Sequence, residues 1–259
     1  MSGHLATFVL LLFLLATPLQ AAAQQQPVTL LVSAASDLTF AFQELAPLFE
    51  RRTGIKVTFN FGATGPLAQQ IERGAPVDLF AAANEAYIDR MVAQGLVLAN
   101  SKMPYARGHL TLWTRSDSPL QLTALEDLLQ PAVRRVAIAN PTHAPYGLAA
   151  KQALQAAGLW QRLAPKLVMG ENVRQTLQYA STGNVDAALI ALSLSVQHAG
   201  RWVQISQRLH RPIIQVLAIL ARTPHADEAR QFANFIIGPQ GQPIMKKYGF
   251  VLPAEDQPS

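Results

Sequence analysis

Apolar runs typical of buried strands alternate along the chain with segments of helical period, and this alternation constrains the fold more than any other feature. Strands are predicted at 28–34, 56–61, 78–82, 109–115, 135–139, 166–169, 185–192, 203–205 and 213–221. Helices are predicted at 38–52, 67–73, 86–93, 122–129, 147–157, 173–181, 227–237 and 240–248. Strands separated by helices favour an α/β fold, with mostly parallel sheets flanked by helices.

The length of the chain favours two lobes over a single sheet. About 230 of the 259 residues remain after the N-terminal segment described below, which is long for one open sheet. The stretches "MPYARGHLTLW" and "RLHRPIIQVLA" are extended and lie where the chain could cross between lobes and later return. We therefore expect residues 27–107 plus 212–259 to form one lobe, residues 108–211 to form the other, and a ligand cleft to lie between them.

The first residues have the pattern of a cleaved export signal. An apolar stretch at 8–15 is followed by small residues at 21–23, which is the order a signal peptidase recognises. The apolar stretch is shorter than the ~20 residues that a membrane span needs, and His4 is the one basic side chain before it. We expect residues 1–23 to be removed, so that the mature protein begins near Gln24 and works in the periplasm.

Composition and missing motifs exclude several classes of protein. The chain has no cysteine, which excludes a disulfide scaffold, a thiolate metal site and a lipidated N-terminal cysteine. The net charge is +5, but the basic pairs are dispersed rather than clustered with aromatic residues, so no nucleic-acid partner is expected. No G-x-S-x-G, H-E-x-x-H or glycine-rich dinucleotide motif occurs. His143 near Tyr146 could act as a base, but an ordinary loop histidine is the better interpretation, and no enzyme activity is expected.

Candidate binding residues lie in the strand-to-helix turns, since ligands of open α/β sheets bind at the carboxyl ends of the strands. Five turns share small residues, hydroxyls and free N–H groups, with few cations: "AASDLT", "FGATGPLAQQI", "DLFAAANEAY", "ANPTHAPYGLAA" and "MGENVRQTL". Ser36 and Thr64 lie at or just before predicted helix starts, which favour anions, although each could instead be a plain N-cap. Tyr146 could direct its hydroxyl into the cleft or be a buried ring with a satisfied tip.

Taken together, these motifs resemble the periplasmic molybdate-binding proteins of ABC transporters. The similarity runs through "AASDL", "GATGPLAQQIERGAPVDLFAAANEAYIDRM", "ANPTHAPYGLAAKQAL", "ENVRQTLQYASTGNVDAALIALS" and "GPQGQPIMKKYGFVLP". The resemblance implies a two-lobed, hinged binding protein of type II that encloses molybdate or tungstate and delivers it to a membrane permease. It also implies a monomer that needs no cofactor, with molybdenum held as the oxyanion and no direct protein ligand to the metal.

The resemblance also implies a set of ligand-binding residues. Hydroxyl and N–H donors would come from Ser36 and Thr64, main-chain N–H donors from Ala83 and Val173, and a phenolic donor from Tyr146. As a separate hypothesis, Asp37 offers its main-chain N–H to the ligand. Thr64 stands where the family commonly has serine. Some members place a ligand-binding tyrosine at the position that is Ala191 here, and the phenolic donor is therefore assigned to Tyr146.

Two further expectations concern charge and ligand identity. At about 6 Å and an effective dielectric of ~20, a carboxylate facing a dianion would be repelled by roughly 5 kcal/mol. We therefore expect the Asp37 side chain to turn away from the ligand and behave as a screened surface charge, and Arg174 to point to solvent or to a carboxylate. The alternative ligand is another tetrahedral oxyanion, such as sulfate or phosphate, whose shorter bonds to oxygen would fit the donors less well.

Overall fold

The structure is a computed structural model that describes residues 28–253. Its strands, in chain order, are β1 (Thr29–Ala35), β2 (Lys56–Gly62), β3 (Leu79–Ala82), β4 (Met103–Gly108), β5 (Leu110–Arg115), β6 (Val136–Ala139), β7 (Leu167–Gly170), β8 (Ala187–Ala191), β9 (Gly200–Gln204) and β10 (Ile213–Ile219). The predicted signal at 1–23 and the chain beyond 253 lie outside the described residues.

The strands form two sheets of five. The first has the order β2-β1-β3-β10-β4, and the second has the order β7-β6-β8-β5-β9. In the first sheet β1 is parallel to β2 and β3, while β10 is antiparallel to β3 and β4. The second sheet repeats this arrangement, because β6 is parallel to β7 and β8 while β5 is antiparallel to β8 and β9. The sheets are therefore mixed. In each sheet the antiparallel strand, β5 or β10, is the one that follows a crossing of the chain from the other sheet.

Helices flank both sheets, as the alternation of strands and helices predicts. In chain order they are α1 (Thr39–Thr53), α2 (Thr64–Glu72), α3 (Glu85–Ala93), α4 (Pro145–Ala156), α5 (Trp160–Leu163), α6 (Val173–Ser181), α7 (Leu192–Ser195), α8 (Ala226–Ile237) and α9 (Gly241–Lys247). Helices α1, α2, α3 and α8 contact strands of the first sheet, and α4, α6 and α7 contact strands of the second. None of the helices within 28–253 has the length and apolar character of a membrane span.

Helix α1 shows how the local sequence produces this packing. Its apolar positions recur at helical spacing, so that Phe42, Leu45 and Phe49 are buried on one face. The ring of Phe49 lies 5.1 Å from that of Phe232 in α8, edge to face, and burial of each such side chain stabilises the fold by about 1.5–3 kcal/mol. Gly54 ends the helix in a left-handed conformation with a φ of 73°, which glycine adopts without strain.

Three predicted features differ from the structure. Residues 103–108 form β4, which was expected only as an extended stretch. The helix predicted at 122–129 is a 3-10 helix at Leu125–Leu129, because the Asp127 carboxylate accepts hydrogen bonds from the main-chain N–H groups of Thr123 and Ala124 and caps a short turn. The short helices α5 and α7 were not predicted. The sheets divide the chain near the expected crossings, and the lobe boundaries at 107/108 and 211/212 stay a prediction.

Candidate functional site

Four helical N-termini meet at one small cavity between the two sheets. They are the start of a 3-10 helix at Ser36–Leu38, which follows β1, and the starts of α2, α4 and α6, which follow β2, β6 and β7. The cavity has a volume of about 10 Å³, room for the centre of about one water-sized sphere. All the predicted site residues line it: Ser36, Asp37, Thr64, Ala83, Tyr146 and Val173.

The cavity is suited to an anion by its main chain rather than by cations. Apart from Asp37, the side chains that line it are uncharged. Helix N-termini carry unpaired N–H groups and a partial positive charge, and these favour a bound anion. Arg174 follows Val173 but is exposed to solvent, as expected. Within residues 28–253, no group of three or more histidine or acidic side chains could hold a metal ion.

In the first lobe, the hydroxyls of Ser36 and Thr64 are not helix caps. Ala35 and Ala63 occupy the N-cap positions, and neither helix start has a side-chain capping bond. Among the described residues, no hydrogen bond uses the Ser36 hydroxyl. The Thr64 hydroxyl accepts a hydrogen bond from the main-chain N–H of Ala83 over 3.3 Å. Within the described residues the Ser36 hydroxyl is therefore unpaired, whereas the Thr64 hydroxyl and the Ala83 N–H are paired with each other.

In the second lobe, two main-chain N–H groups stand at helix starts. The Asn172 side chain caps α6 by accepting from the N–H groups of Arg174 and Gln175, at 3.1 and 3.0 Å, and this leaves the N–H of Val173 unused. Helix α4 begins with Pro145, which has no N–H, and Tyr146 follows. Within the described chain, no hydrogen bond uses the Tyr146 N–H. These two groups match the free donors that an oxyanion requires.

The Asp37 side chain is buried, which corrects the expectation of a screened surface charge. Its exposed fraction is 1%, and its Oδ2 accepts a hydrogen bond from Gln215 Nε2 over 2.6 Å. The sequence could not show this, because Gln215 is 178 residues away along the chain. The carboxyl does turn toward a neighbouring N–H donor, but that donor is an amide in the interior.

Burial without a cationic partner changes the acidity of this region. Desolvation raises the pKa of Asp37 to about 7, although the nearby Tyr146 hydroxyl, the main-chain N–H of Asp37 and the hydrogen bond from Gln215 oppose the rise. Burial, together with the charge of Asp37, raises the pKa of Tyr105 and Tyr146 well above the usual value for tyrosine.

Direct bonds between the lobes flank the cavity, and sequence analysis missed them. The Ser193 hydroxyl, in α7, donates to the carbonyl oxygen of Asp37 over 2.7 Å. The main-chain N–H of Gly65, in α2, donates to the carbonyl oxygen of His143 over 3.0 Å. Ala191 ends β8 and is buried, two residues before Ser193. The turn "ALSLS" after β8 is another strand-to-helix turn with hydroxyls, so the rule that selected the other turns could have found Ser193.

The chain is similar to known solute-binding proteins over most of its length. Residues 30–251 match the pattern of a family that is described as "Bacterial extracellular solute-binding protein". The molybdate-binding protein ModA of Rhodobacter capsulatus is 33% identical over 223 residues, which cover 85% of this chain and 87% of that protein. The periplasmic molybdate-binding protein of Azotobacter vinelandii superimposes with a TM-score of 0.83 at 32% identity, covering 86% of this chain and 99% of that chain.

A more distant structure shares the fold alone. The sulfate-binding protein SubI of Mycobacterium tuberculosis H37Rv superimposes with a TM-score of 0.72 at 19% sequence identity, covering 86% of each chain. The two-lobed architecture is thus common to proteins with different ligands, and the predicted fold class is confirmed. From the family match and the relatives that cover most of its length, this chain belongs to the bacterial extracellular solute-binding proteins.

Proposed function

We propose that this protein is a periplasmic binding protein that captures molybdate, or tungstate, between its lobes and delivers it to an ABC permease. One observation carries the proposal: neutral donors at four helical N-termini, two in each lobe, line a single small cavity. The relatives that cover most of the chain and share about a third of its residues are named as molybdate-binding proteins, which supports this oxyanion over others.

The proposed donors can stabilise a tetrahedral dianion without a cation. They are the hydroxyls of Ser36 and Thr64 and the main-chain N–H groups of Asp37, Ala83, Tyr146 and Val173. Each hydrogen bond to a charged group away from water contributes about 1.5–3 kcal/mol. Because the donors come from both lobes, the ligand itself would hold the lobes together, and the molybdenum atom would have no direct protein ligand.

Sulfate or phosphate is the second candidate, because the fold is shared with a sulfate-binding protein. Donors fixed by rigid turns discriminate by size, and the bonds from sulfur or phosphorus to oxygen are shorter than those from molybdenum. A site spaced for molybdate would therefore leave gaps around sulfate and lose part of each hydrogen bond.

Delivery and location follow from the same proposal. The export pattern at 1–23 and the extracellular description of the family support a mature protein that works outside the cytoplasmic membrane, where an ABC permease would receive the oxyanion. We expect a monomer that needs no cofactor and catalyses no reaction.

Calorimetric titration of the protein lacking residues 1–23 tests the ligand assignment. Molybdate and tungstate should each bind with one site per chain, and sulfate and phosphate should bind at least about 100-fold more weakly, a difference of about 2.7 kcal/mol. Equal affinity for sulfate would replace the molybdate assignment with the second candidate. Hydrolysis of an ester or phosphoester would contradict a pure binding role.

A further inference from the structure

Behind the cavity, a group of buried polar atoms lies where the two lobes meet. Asp37 Oδ1, the Tyr146 hydroxyl and Gln215 Oε1 are all buried, and within residues 28–253 none has a regular hydrogen-bond partner. Native structures leave few such atoms unpaired. Three of them in one place, next to the cavity, indicate a role that depends on how the lobes come together.

The sequence places Gln215 there through a bulge between β4 and β10. Gln215 pairs with Ala106, but Val216 pairs with Pro104, so that Tyr105 is an extra residue in β4. Pro104 has no N–H and therefore cannot continue the ladder of hydrogen bonds. A bulge of this kind changes the direction of the side chains beside it. Gln215 then reaches Asp37 in the same lobe, with its Nε2 donating to Oδ2 over 2.6 Å.

Tyr146 enters this group from the other lobe. Helix α4, which carries it, contacts β6 and β8 of the second sheet but also β10 of the first. The Tyr146 hydroxyl would lie 2.0 Å from a Cβ atom at Gly108, so it fills the space that this glycine leaves open. Gly108 ends β4, where the chain crosses into the second sheet. The hydroxyl therefore lies against the crossing strands.

The two ends of Tyr146 thus face different surroundings. Its main-chain N–H stands at the start of α4, beside the cavity. Its hydroxyl lies near enough to Asp37 to influence the acidity of that carboxyl, although the geometry falls outside a regular hydrogen bond. The hydroxyl therefore lies beside the carboxyl from the opposite lobe.

We propose that Tyr146, Asp37 and Gln215 form a closure cluster, in which the Tyr146 hydroxyl holds the second lobe against the crossing strands while its main-chain N–H serves the ligand. This inference rests on the proposed function, because the ligand is what the closed lobes enclose. Tyr146 is then a positioning residue through its hydroxyl, in contrast to the phenolic donor that the family resemblance implies. Gly108 is required because any side chain there would displace the hydroxyl.

A set of matched variants separates these two roles by their affinity for molybdate, measured by calorimetry. Tyr146→Phe removes the hydroxyl, and Gly108→Ala displaces it. We expect each to weaken molybdate binding about tenfold, the effect of one hydrogen bond. In the double variant the loss of the hydroxyl removes the 2.0 Å contact and leaves the ring carbon 3.0 Å from the new Cβ, so the second substitution should add less than about twofold. Tyr105→Phe is the control, because it removes another buried hydroxyl nearby that belongs to the same lobe as Asp37.

The outcomes distinguish the closure cluster from its alternatives. Wild-type affinity for Gly108→Ala together with weak binding by Tyr146→Phe would show that the hydroxyl reaches the ligand. Wild-type affinity for Tyr146→Phe would show that the hydroxyl serves neither role. Either result overturns the closure cluster. Circular dichroism of each variant checks the fold. If Gly108→Ala does not fold, the ligand-free distance measurement described below is made on Tyr146→Phe, which should lengthen the distance between the lobes if the hydroxyl holds them together and leave it unchanged if the hydroxyl only binds the ligand; the second result overturns the closure cluster.

A measurement without ligand distinguishes failure of the closure cluster from failure of the proposed function. The chain has no cysteine, so Arg73→Cys and Gln161→Cys, at exposed positions on opposite lobes, allow a fluorescent donor and acceptor to be attached specifically. If the wild type binds none of the four oxyanions, the proposed function fails, and the distance between the dyes still tests the closure cluster. Gly108→Ala should lengthen the mean distance between the lobes, and an unchanged distance would overturn the inference.

Discussion

Gly65 and His143 join the two lobes directly, because the main-chain N–H of Gly65 donates to the carbonyl oxygen of His143 over 3.0 Å. Gly65 is the second residue of α2, beside Thr64, and His143 lies in the loop before α4. This bond therefore forms next to the cavity, between two of the elements that supply donors to it. It exists only when the lobes are together.

We expect Gly65→Ala to hinder closure. A Cβ atom at this position would lie 2.8 Å from the Cβ of His143 and 2.9 Å from its carbonyl oxygen. Overpacking of this kind costs about 1–3 kcal/mol, so molybdate affinity should fall by that amount. The ligand-free variant should melt close to the wild-type temperature, since alanine favours the helix. The matched control is Gln69→Ala, an exposed position on the same helix. Unchanged affinity for Gly65→Ala would show that the lobes close around the ligand in another arrangement.

Ser36→Ala tests the first-lobe donors. The Ser36 hydroxyl makes no bond within the described chain and does not cap a helix, so the variant should weaken molybdate binding by about 1.5–3 kcal/mol without destabilising the ligand-free fold. Calorimetry and thermal melting measure the two effects. Ser181→Ala, at an exposed site at the end of α6, is the control for the substitution itself. If Ser36→Ala lowers the melting temperature but keeps the wild-type affinity for molybdate, the Ser36 hydroxyl has a structural role and does not bind the ligand.

The fold was predictable from sequence where the signal is local. The alternation of apolar runs and helical periods gave most strands, and α1 follows directly from the spacing of Phe42, Leu45 and Phe49. What was missed depends on distant contacts. Pro104 argues against a strand from sequence alone, yet β4 forms at the edge of its sheet, where β10 supplies the pairing. A short 3-10 turn held by Asp127 has the same local pattern as a helix.

The candidate site was predictable because strand-to-helix turns converge in α/β folds. Ser36, Thr64, Tyr146 and Val173 all line the cavity, as that rule implies. The environment of Asp37 was not predictable, because its partners Gln215 and Ser193 come from elements 178 and 156 residues away. Periodicity in one chain carries no information about such a contact.

The buried carboxyl of Asp37 should make stability depend on pH. Its pKa is about 7 in the folded protein and 3.8 in the reference state, so folding favours the protonated form. Stability from this group is therefore present below pH 4 and is lost as the pH rises from about 4 to about 7. The difference between these two pKa values corresponds to about 4 kcal/mol of stability. Without added oxyanion, urea unfolding should show Asp37→Asn gaining stability relative to the wild type between pH 4.5 and pH 8. If the free energy of unfolding depends on pH in the same way for both proteins, the raised pKa of Asp37 is contradicted.

The same substitution should leave binding nearly unchanged in mild acid. At pH 6 the Asp37 carboxyl is mainly protonated, and a neutral acid differs from the asparagine amide by little electrostatic energy. We expect Asp37→Asn to change molybdate affinity by less than about 1 kcal/mol at this pH. Calorimetric titration of both proteins with molybdate at pH 6 measures this difference in affinity. A tenfold or greater tightening would mean that an ionised carboxylate faces the anion in the wild type.

Thermal melting with four oxyanions tests the central claim most directly. A ligand at 100 times its dissociation constant stabilises the folded state by about 2.7 kcal/mol, which raises the melting temperature of a chain of this size by about 5–10 °C. Molybdate and tungstate should each produce this rise at a concentration where sulfate and phosphate shift the melting temperature by less than about 1 °C. An equal rise with sulfate, or no rise with molybdate, would contradict the assignment of this protein as a molybdate-binding protein.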